Sequence, residues 1–512
     1  MLDQPDMPRQ ETIFPWSKGE APALAKRLPA YVATRRWFRG KSSGISDLRI
    51  LDTLPLSPGA VIAILEITDG TRTDRYSLPL SIQSGTRAEQ LAKEDSPLII
   101  ERLAGGALLC DALADPGALS AILERFGVPG PIAGASSMLE FETVSASVAG
   151  GPTREEDLFP HPLAVEQTHS SVVYGQRFIL KILRLLDPGE SVDLEMGRFL
   201  SQAGYASAPK LEGSIRWVPR QGTPSTLGIL QAFVHNDGGA WELTLERLAR
   251  LVAEHPEPPG DHSADVLAPH RERARILGHR IAELHLVLGR PSGNPAFEPE
   301  PLTLAHQQQL AEAASTVLGT NLRLLRERKA KGGGHTTLPL WAGEVVSRLR
   351  AFAQEPLGGM ITRVHGDLHL GQILETGGDV ILVDFEGEPA RPLAERRMKR
   401  SPLVDVAGIL RSYHYAATAA ARTSGSKRWE SAWLSAWHEA VTEAFRQAYF
   451  ERMAGSSLLP AHLAARHRAL NFYLLEKCLY ELGYELDNRP DWVAVPMAGL
   501  KQLSEERPPT GS

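Results

Sequence analysis

Cysteine is almost absent from this sequence: Cys110 and Cys478 are the only two in 512 residues. They lie far apart and in no metal-ligand spacing, which excludes a disulfide framework and a zinc cluster; both read as reduced, core-filling thiols of a cytoplasmic protein. No apolar run reaches the roughly 20 residues a membrane helix needs, and the opening MLDQPDMPRQETIFPW lacks the basic-then-apolar order of a signal segment. Positive charge is not in excess either. Lys and Arg number 55 against 61 Asp and Glu, a net charge of −6, so there is no footprint for nucleic acid or an anionic membrane. Internal repeats and heptads are missing, and no G-x-x-x-x-G-K-[ST] string occurs, which excludes a Walker-type nucleotide loop. What remains is the composition of an ordinary globular enzyme, 43% hydrophobic and 23% charged. Its length predicts two or three packed domains.

One stretch concentrates chemistry: Ile361 to Pro389, ITRVHGDLHLGQILETGGDVILVDFEGEP. Its loop Val364–Gln372 holds a carboxylate at Asp367 and, five residues on, an amide at Gln372. Val380–Val383 then reads as a short buried strand ending at Asp384-Phe385-Glu386, with a turn predicted at Gly377-Gly378. A polar loop, a hairpin and an acid at a strand end bring Asp367, Gln372 and Asp384 together. Phosphoryl transfer in a kinase needs this layout: one Asp orients the attacking hydroxyl and accepts its proton, while an amide oxygen and a second Asp hold divalent cations on the phosphates.

At these residues the chain resembles the kinase-like phosphotransferases that include aminoglycoside and choline kinases, whose loop reads HGDxxxxN followed by a D-x-D/E pair. Gln372 departs from the usual Asn but keeps the amide oxygen, one methylene further out. The longer strings HGDLHLGQIL and DFEGEPARPLAERRMKRSPLVDVAGILRSYHYAA are similar to the bacterial maltokinases, with glucosamine kinases as near kin. The resemblance implies a two-lobed, protein-kinase-like α/β (α+β) fold: a β-rich cap over residues 1–138, a small nucleotide lobe over 139–234, and a mostly helical lobe over 235–512. It implies ATP and Mg2+ as cofactors and a sugar acceptor. For maltokinases that acceptor is maltose, phosphorylated at its anomeric hydroxyl for α-glucan assembly, with a trehalose-to-maltose isomerase as functional partner. Glucosamine or aminoglycoside kinase activity and a non-catalytic pseudokinase scaffold are the alternatives. A monomer and a homodimer are equally compatible with the sequence.

Along the chain, residues 1 to about 12 read as disordered, and Phe14–Phe38 as broken helix entering the maltokinase-like string Arg35-Arg36-Trp37-Phe38-Arg39-Gly40-Lys41. No catalytic role falls to this cap. Strands are predicted over 45–54, 60–68 and 72–80, with a hairpin at Asp69-Gly70, and helices near Pro97–Leu103 and Gly117–Phe126. Val165–Gly175 stands where a phosphate-covering loop belongs. Ser170 and Ser171 would offer hydroxyls and N–H groups there, though a plain hairpin fits equally. Arg177–Leu183 alternates into a strand with one inward Lys181, and Glu195 opens the following helix; in kinases such a pair holds the Lys over the α- and β-phosphates. After the apolar strand Gly228–Val234, backbone at Gln231 and Phe233 is placed to read adenine.

The remaining chain reads as helix over 242–254, 271–288, 304–329, 338–354, 429–453 and 461–486, with a loop at His255–His270 and a break at Gly332-Gly333-Gly334. His285 sits one position off an apolar stripe and reads as structural. Asp405 follows the helix start Ser401-Pro402; a helix N-terminus favours an acid, and the resemblance adds a hydrogen bond to the catalytic-loop backbone. Lys477, Tyr480 and Tyr484 share a helix face at i, i+3 and i+7. Aromatic rings there would stack on a pyranose while the Lys bonds its hydroxyls. The resemblance places His365, Asp367 and Glu386 around the same sugar.

Overall fold

The computed structural model describes residues 24–41, 43–70, 72–145, 158–163, 169–331, 339–389, 391–424 and 428–506. The expected disordered start, the turn before His169 at residues 164–168, and the break at Gly332–Gly334 lie outside them. The chain divides into two compact units, residues 1–198 with 210–233 and residues 199–209 with 234–512.

The first unit is built on two antiparallel sheets. Helix α1 (Leu28–Thr34) precedes strands β1 (Asp47–Ser57), β2 (Ala60–Asp69) and β3 (Arg72–Gln83), then α2 (Gly85–Lys93), β4 (Ile99–Arg102), β5 (Leu108–Asp111) and α3 (Pro116–Glu124). The first sheet runs β1-β2-β3-β5-β4. The segment 97–103, expected as helix, is strand β4: its Ile-Ile pair finds β5 as a partner, and pairing across the sheet overrides a weak local preference. Leu28, Tyr31 and Val32 of α1 pack with Trp37, Phe38, Leu65 and Leu78 into one core, so the Trp-Phe pair of the Arg-rich string is buried structure.

The second sheet is formed by β6 (Ile132–Ala133), β7 (Ser137–Thr143), β8 (Pro160–Pro162), β9 (His169–Tyr174), β10 (Phe178–Leu183), β11 (Leu211–Pro219) and β12 (Ser225–Ala232), in the order β6-β7-β11-β12-β10-β9-β8. Helix α4 (Val192–Gln202) follows β10. The two sheets are tied together just beyond β10. Ser77 N–H and its hydroxyl donate to the carbonyls of Arg184 and Leu183 at 2.8 and 2.7 Å. The Arg184 guanidinium, 1% exposed, meets Asp111 at 2.9 Å, and Asp111 also accepts from the Tyr31 hydroxyl. A buried charge is tolerated only when paired and hydrogen-bonded, and this pair meets that condition.

The second unit is helical, with a three-stranded sheet and a two-stranded one among the described residues. A hairpin strand β13 (Gly238–Gly239) leads into α5 (Ala240–Glu254) and α6 (Ser263–Leu288); β14 (Glu300–Pro301), α7 (Leu304–Lys331), α8 (Trp341–Phe352), β15 (Met360–Ile361), β16 (Ile373–Thr376) and β17 (Asp379–Leu382) come next. Helices α9 (Leu403–Ser424), α10 (Arg428–Arg452), α11 (Leu463–Asn488) and α12 (Ala494–Glu505) complete it. The expected loop over 255–270 is shorter than its Pro content suggested, because α6 begins at Ser263 and carries Pro269 within its first turns. Inside the helix this proline gives up one i→i−4 hydrogen bond, a local cost that the length of α6 outweighs. Among the described residues no helix is long and apolar enough to cross a membrane. Cys110 and Cys478 are both fully buried thiols.

Candidate active site

The acidic loop between β15 and β16 is fixed from below. Its apolar residues Val364, Leu368 and Leu370 are buried, as are Ile373, Leu382 and Phe385 on either side of the hairpin. The turn at Gly377-Gly378 uses φ of 52° and 99°, conformations glycine reaches without strain. Asp405, 1% exposed, accepts hydrogen bonds from the N–H groups of His365 and Gly366, both at 2.9 Å. His285 donates Nε2–H to the same carboxylate at 3.0 Å and accepts from the Tyr449 hydroxyl at Nδ1, 2.8 Å away. Burial pushes the Asp405 carboxyl up, but the His285 hydrogen bond and the loop N–H groups outweigh it and hold it below the usual range. His285, read from sequence as structural, therefore acts on the loop through Asp405. Gly408 lets α9 run against the Leu368 carbonyl, where a Cβ would collide with that oxygen.

This scaffold brings Gln372, on the loop that also carries Asp367, together with Asp384. Val383 N–H donates to the Gln372 carbonyl at 2.9 Å, and the Gln372 amide Nε2 donates to Asp384 Oδ2 at 3.2 Å. Asp384 has a φ of 67°, in the left-handed region that a non-glycine residue occupies only under constraint. His365 is 1% exposed, and its Nε2 donates to the Val383 carbonyl at 3.0 Å. Its ring ties the loop to the strand end instead of facing a sugar, a correction to the expected substrate contact. Glu386 lies at 4.0 Å from Arg396, whose Nη1 also donates to its carbonyl.

Asp367 Oδ1 stands 3.2 Å from Lys477 Nζ. Burial pushes the Asp367 carboxyl up, and the charges of Lys477 and His369 more than reverse this, leaving it below the usual range. Lys477 is in turn raised, because the nearby carboxylates of Asp367 and Glu388 outweigh its own burial. Lys477 Nζ lies 5.1 Å from the Tyr480 ring centroid, and the Tyr480 and Tyr484 rings are 6.5 Å apart. Tyr484 is 44% exposed. The face predicted from spacing is thus an open aromatic strip running away from Asp367. Gly366, Asp367, Glu388, Arg391, Lys477 and Tyr480 line a cavity of about 30 Å³ at the near end of this strip.

The first unit holds the remaining candidates. Lys181 Nζ pairs with Asp193 Oδ2 at 2.8 Å, with both side chains under 10% exposed. Asp193 and Glu195 both lie in the first turn of α4; the sequence singled out Glu195 and passed over Asp193. Ser170 lies within β9, 5% exposed, and its hydroxyl accepts from Arg184 Nε at 2.9 Å. Ser171 pairs across the ladder with Lys181. Strand parity, invisible without the register, turns Ser170 inward and removes it as a phosphate contact. Gln231 sits mid-strand between β10 and β11. The Phe233 N–H donates to the Arg177 carbonyl at 2.8 Å. The sheet therefore engages the residues assigned to adenine.

Taken unit by unit, the architecture is a mixed α/β, kinase-like fold, sheet-rich in the first unit and helical in the second. Residues 31–115 match the maltokinase N-terminal cap domain. The glucosamine kinase of Mycolicibacterium smegmatis (strain ATCC 700084 / mc(2)155) is 27% identical over 356 residues, 67% of this chain and 79% of that one. The glucosamine kinase of Streptacidiphilus jiangxiensis is 27% identical over 355 residues, 67% of this chain and 73% of its own. In fold, a solved glucosamine kinase in complex with glucosamine, ADP and inorganic phosphate aligns with a TM-score of 0.62 at 20% identity, over 94% of this chain and 99% of that one. Crystal form B of glucosamine kinase gives 0.65, also at 20% identity, over 95% and 99%. The chain is therefore similar to the maltokinase-like kinases, in its cap by the family match and beyond it by the two relatives.

Proposed function

We propose that this protein transfers the γ-phosphoryl group of ATP to the anomeric hydroxyl of maltose, giving maltose 1-phosphate for α-glucan assembly after a trehalose-to-maltose isomerase. Kinase activity on a sugar hydroxyl is the coarser statement, supported by the relatives named glucosamine kinases; the acceptor is the proposal. The observation that supports it is the Lys477–Asp367 contact at 3.2 Å. The position beside the candidate base that a cationic substrate would take is held by the protein's own ammonium. Around the cavity, Asp367, Glu388 and Glu476 face Arg391, Arg400 and Lys477, so the charges balance and a neutral sugar meets no field. A cavity of about 30 Å³ admits only the reacting end; the rest of a disaccharide would lie over Tyr480 and Tyr484.

In this reading Asp367 accepts the proton of the attacking hydroxyl, and Lys477 keeps it ionised and oriented. Asp405 fixes the loop that aims it. Mg2+ is an ion usually bound by one or two carboxylates plus substrate phosphates. Asp384 and the Gln372 amide oxygen would hold it, and when bound it neutralises charge on the phosphates. Lys181, oriented by Asp193, would contact the α- and β-phosphates.

A second acceptor, glucosamine, is favoured by Glu388. Burial raises its carboxyl pKa despite Lys477, and an amino group at that position would satisfy it. The relatives named glucosamine kinases point the same way. ADP release with ATP and magnesium, measured against maltose, glucosamine, glucose and kanamycin, decides. Maltose should give the highest kcat/KM, and 31P NMR should show an anomeric phosphate. A tenfold preference for glucosamine would replace maltose as the acceptor.

A further inference from the structure

Helices α9 to α12 enclose a second polar cavity of about 100 Å³, separate from the one that Asp367 lines. The catalytic apparatus uses none of its lining. Arg446 of α10 faces it, and no described residue pairs with the Arg446 Nε, which is buried. Asn471 of α11 is 7% exposed, lines the same cavity, and its Nδ2 has no partner. The Thr442 hydroxyl, also lining it, is a third buried group without a bond. Such groups cost about 1–3 kcal/mol each when left unmade, so three at one cavity indicate a missing acceptor.

The remaining walls favour the same kind of guest. Arg411 donates to His414 Nδ1 at 2.9 Å while its other nitrogens bind Glu481. Burial, reinforced by the Arg411 charge, pushes the His414 and His438 imidazoles down to about 3 and about 4. Both are neutral at physiological pH, and His414, accepting at Nδ1, carries its proton at Nε2 as a further donor. The cavity thus offers one guanidinium and several donors. A water supplies two lone pairs and no charge; a tetrahedral oxyanion supplies many acceptors and a compensating charge.

We propose that this cavity is a binding site for a small tetrahedral phosphate, free orthophosphate or the phosphoryl group of a small ester, held by Arg446, Asn471 and Thr442. Glu506 lines the cavity as well and lies within the field of Arg446, so an entering anion competes with its carboxylate for that charge.

Isothermal titration calorimetry on the full chain at pH 7, with orthophosphate, methyl phosphate and acetate, tests this. Orthophosphate should show a saturable component that Arg446→Met and Asn471→Leu each weaken at least about tenfold, the worth of a hydrogen bond to a charged group. Glu506→Gln should tighten it, and acetate should not compete. Methyl phosphate binding as well would identify an ester site; its failure would identify the free ion. Asn471→Leu removes a buried orphan donor at similar volume and should melt no lower than the parent, which separates lost binding from lost folding. A local readout stands beside these: the imidazole NMR signals of His414 and His438 should move on phosphate addition in the parent and stay still in Arg446→Met. Superimposable isotherms for parent and variants, or unmoved His438 signals in the parent, overturn the site.

Discussion

Replacing Asp405 should damage both stability and turnover, through separate quantities. Its carboxylate takes three buried donors: two loop N–H groups at 2.9 Å and His285 Nε2 at 3.0 Å. Asp405→Ala orphans all three, and at roughly 1–3 kcal/mol per buried donor the sum is about 3–9 kcal/mol. Water entering the vacated space recovers part of this, so about 3–5 kcal/mol is the expected loss, the scale for removing one partner of a buried ionic contact. At about 2 °C per kcal/mol for a unit of a few hundred residues, Tm should fall by about 6–10 °C. Asp405→Asn keeps one acceptor and should lose about half as much. In the folded fraction kcat should drop about a hundredfold, because a loop displaced by about 1 Å misaims Asp367. The pH dependence has a definite sign. A carboxyl held below its unfolded value of 3.8 contributes its full stability above that pH and loses it as pH falls through the folded value. Thermal melts from pH 3 to 7 should therefore converge for parent and variant at the acid end. An Asp405→Ala variant melting within 1 °C of the parent with normal kcat would refute the clamp.

Lys477→Met should raise the Asp367 pKa, since Lys477 is the charge that offsets burial there; the acid limb of kcat/KM should move toward neutrality, and an unmoved limb removes the coupling. Asp193→Ala should raise KM for ATP in steady-state kinetics, because Asp193 makes the 2.8 Å contact with Lys181; an unchanged KM would remove Asp193 from the nucleotide site. Arg184→Met leaves Asp111 buried without its cation and should cost about 3–5 kcal/mol in urea unfolding, with Arg184→Met/Asp111→Asn recovering part. No recovery in the double variant would deny the pair its part in holding the two sheets together.

The catalytic strip was legible because its geometry is local. Asp367, Gln372 and Asp384 lie within 18 residues joined by a glycine hairpin, and a short strand ending in an acid leaves few arrangements. The first three cap strands were legible for the same reason, being alternating runs with a marked hairpin. Strand β4 was not, since its partner β5 has only four residues and no pattern of its own. Site residues were missed where the deciding fact is a register or a distant partner. Ser170 turns inward by strand parity. Asp193 joins Lys181 because the helix starts at Val192 and brings a second acid into its first turn. His285 meets Asp405 and Tyr449 from 120 and 164 residues away, and nothing near it in sequence announces either. Backbone groups at Gln231 and Phe233 carry no side-chain signature, so the extent of the ladder could be read only from the fold.

That Asp367 takes the proton of the acceptor hydroxyl is tested most directly by the kcat of Asp367→Asn with saturating ATP, magnesium and sugar. The isosteric amide keeps the shape of the loop and removes only the basic oxygen. Turnover should fall by at least about a hundredfold while KM for ATP stays nearly unchanged. Near-normal turnover in a folded Asp367→Asn enzyme would contradict the assignment.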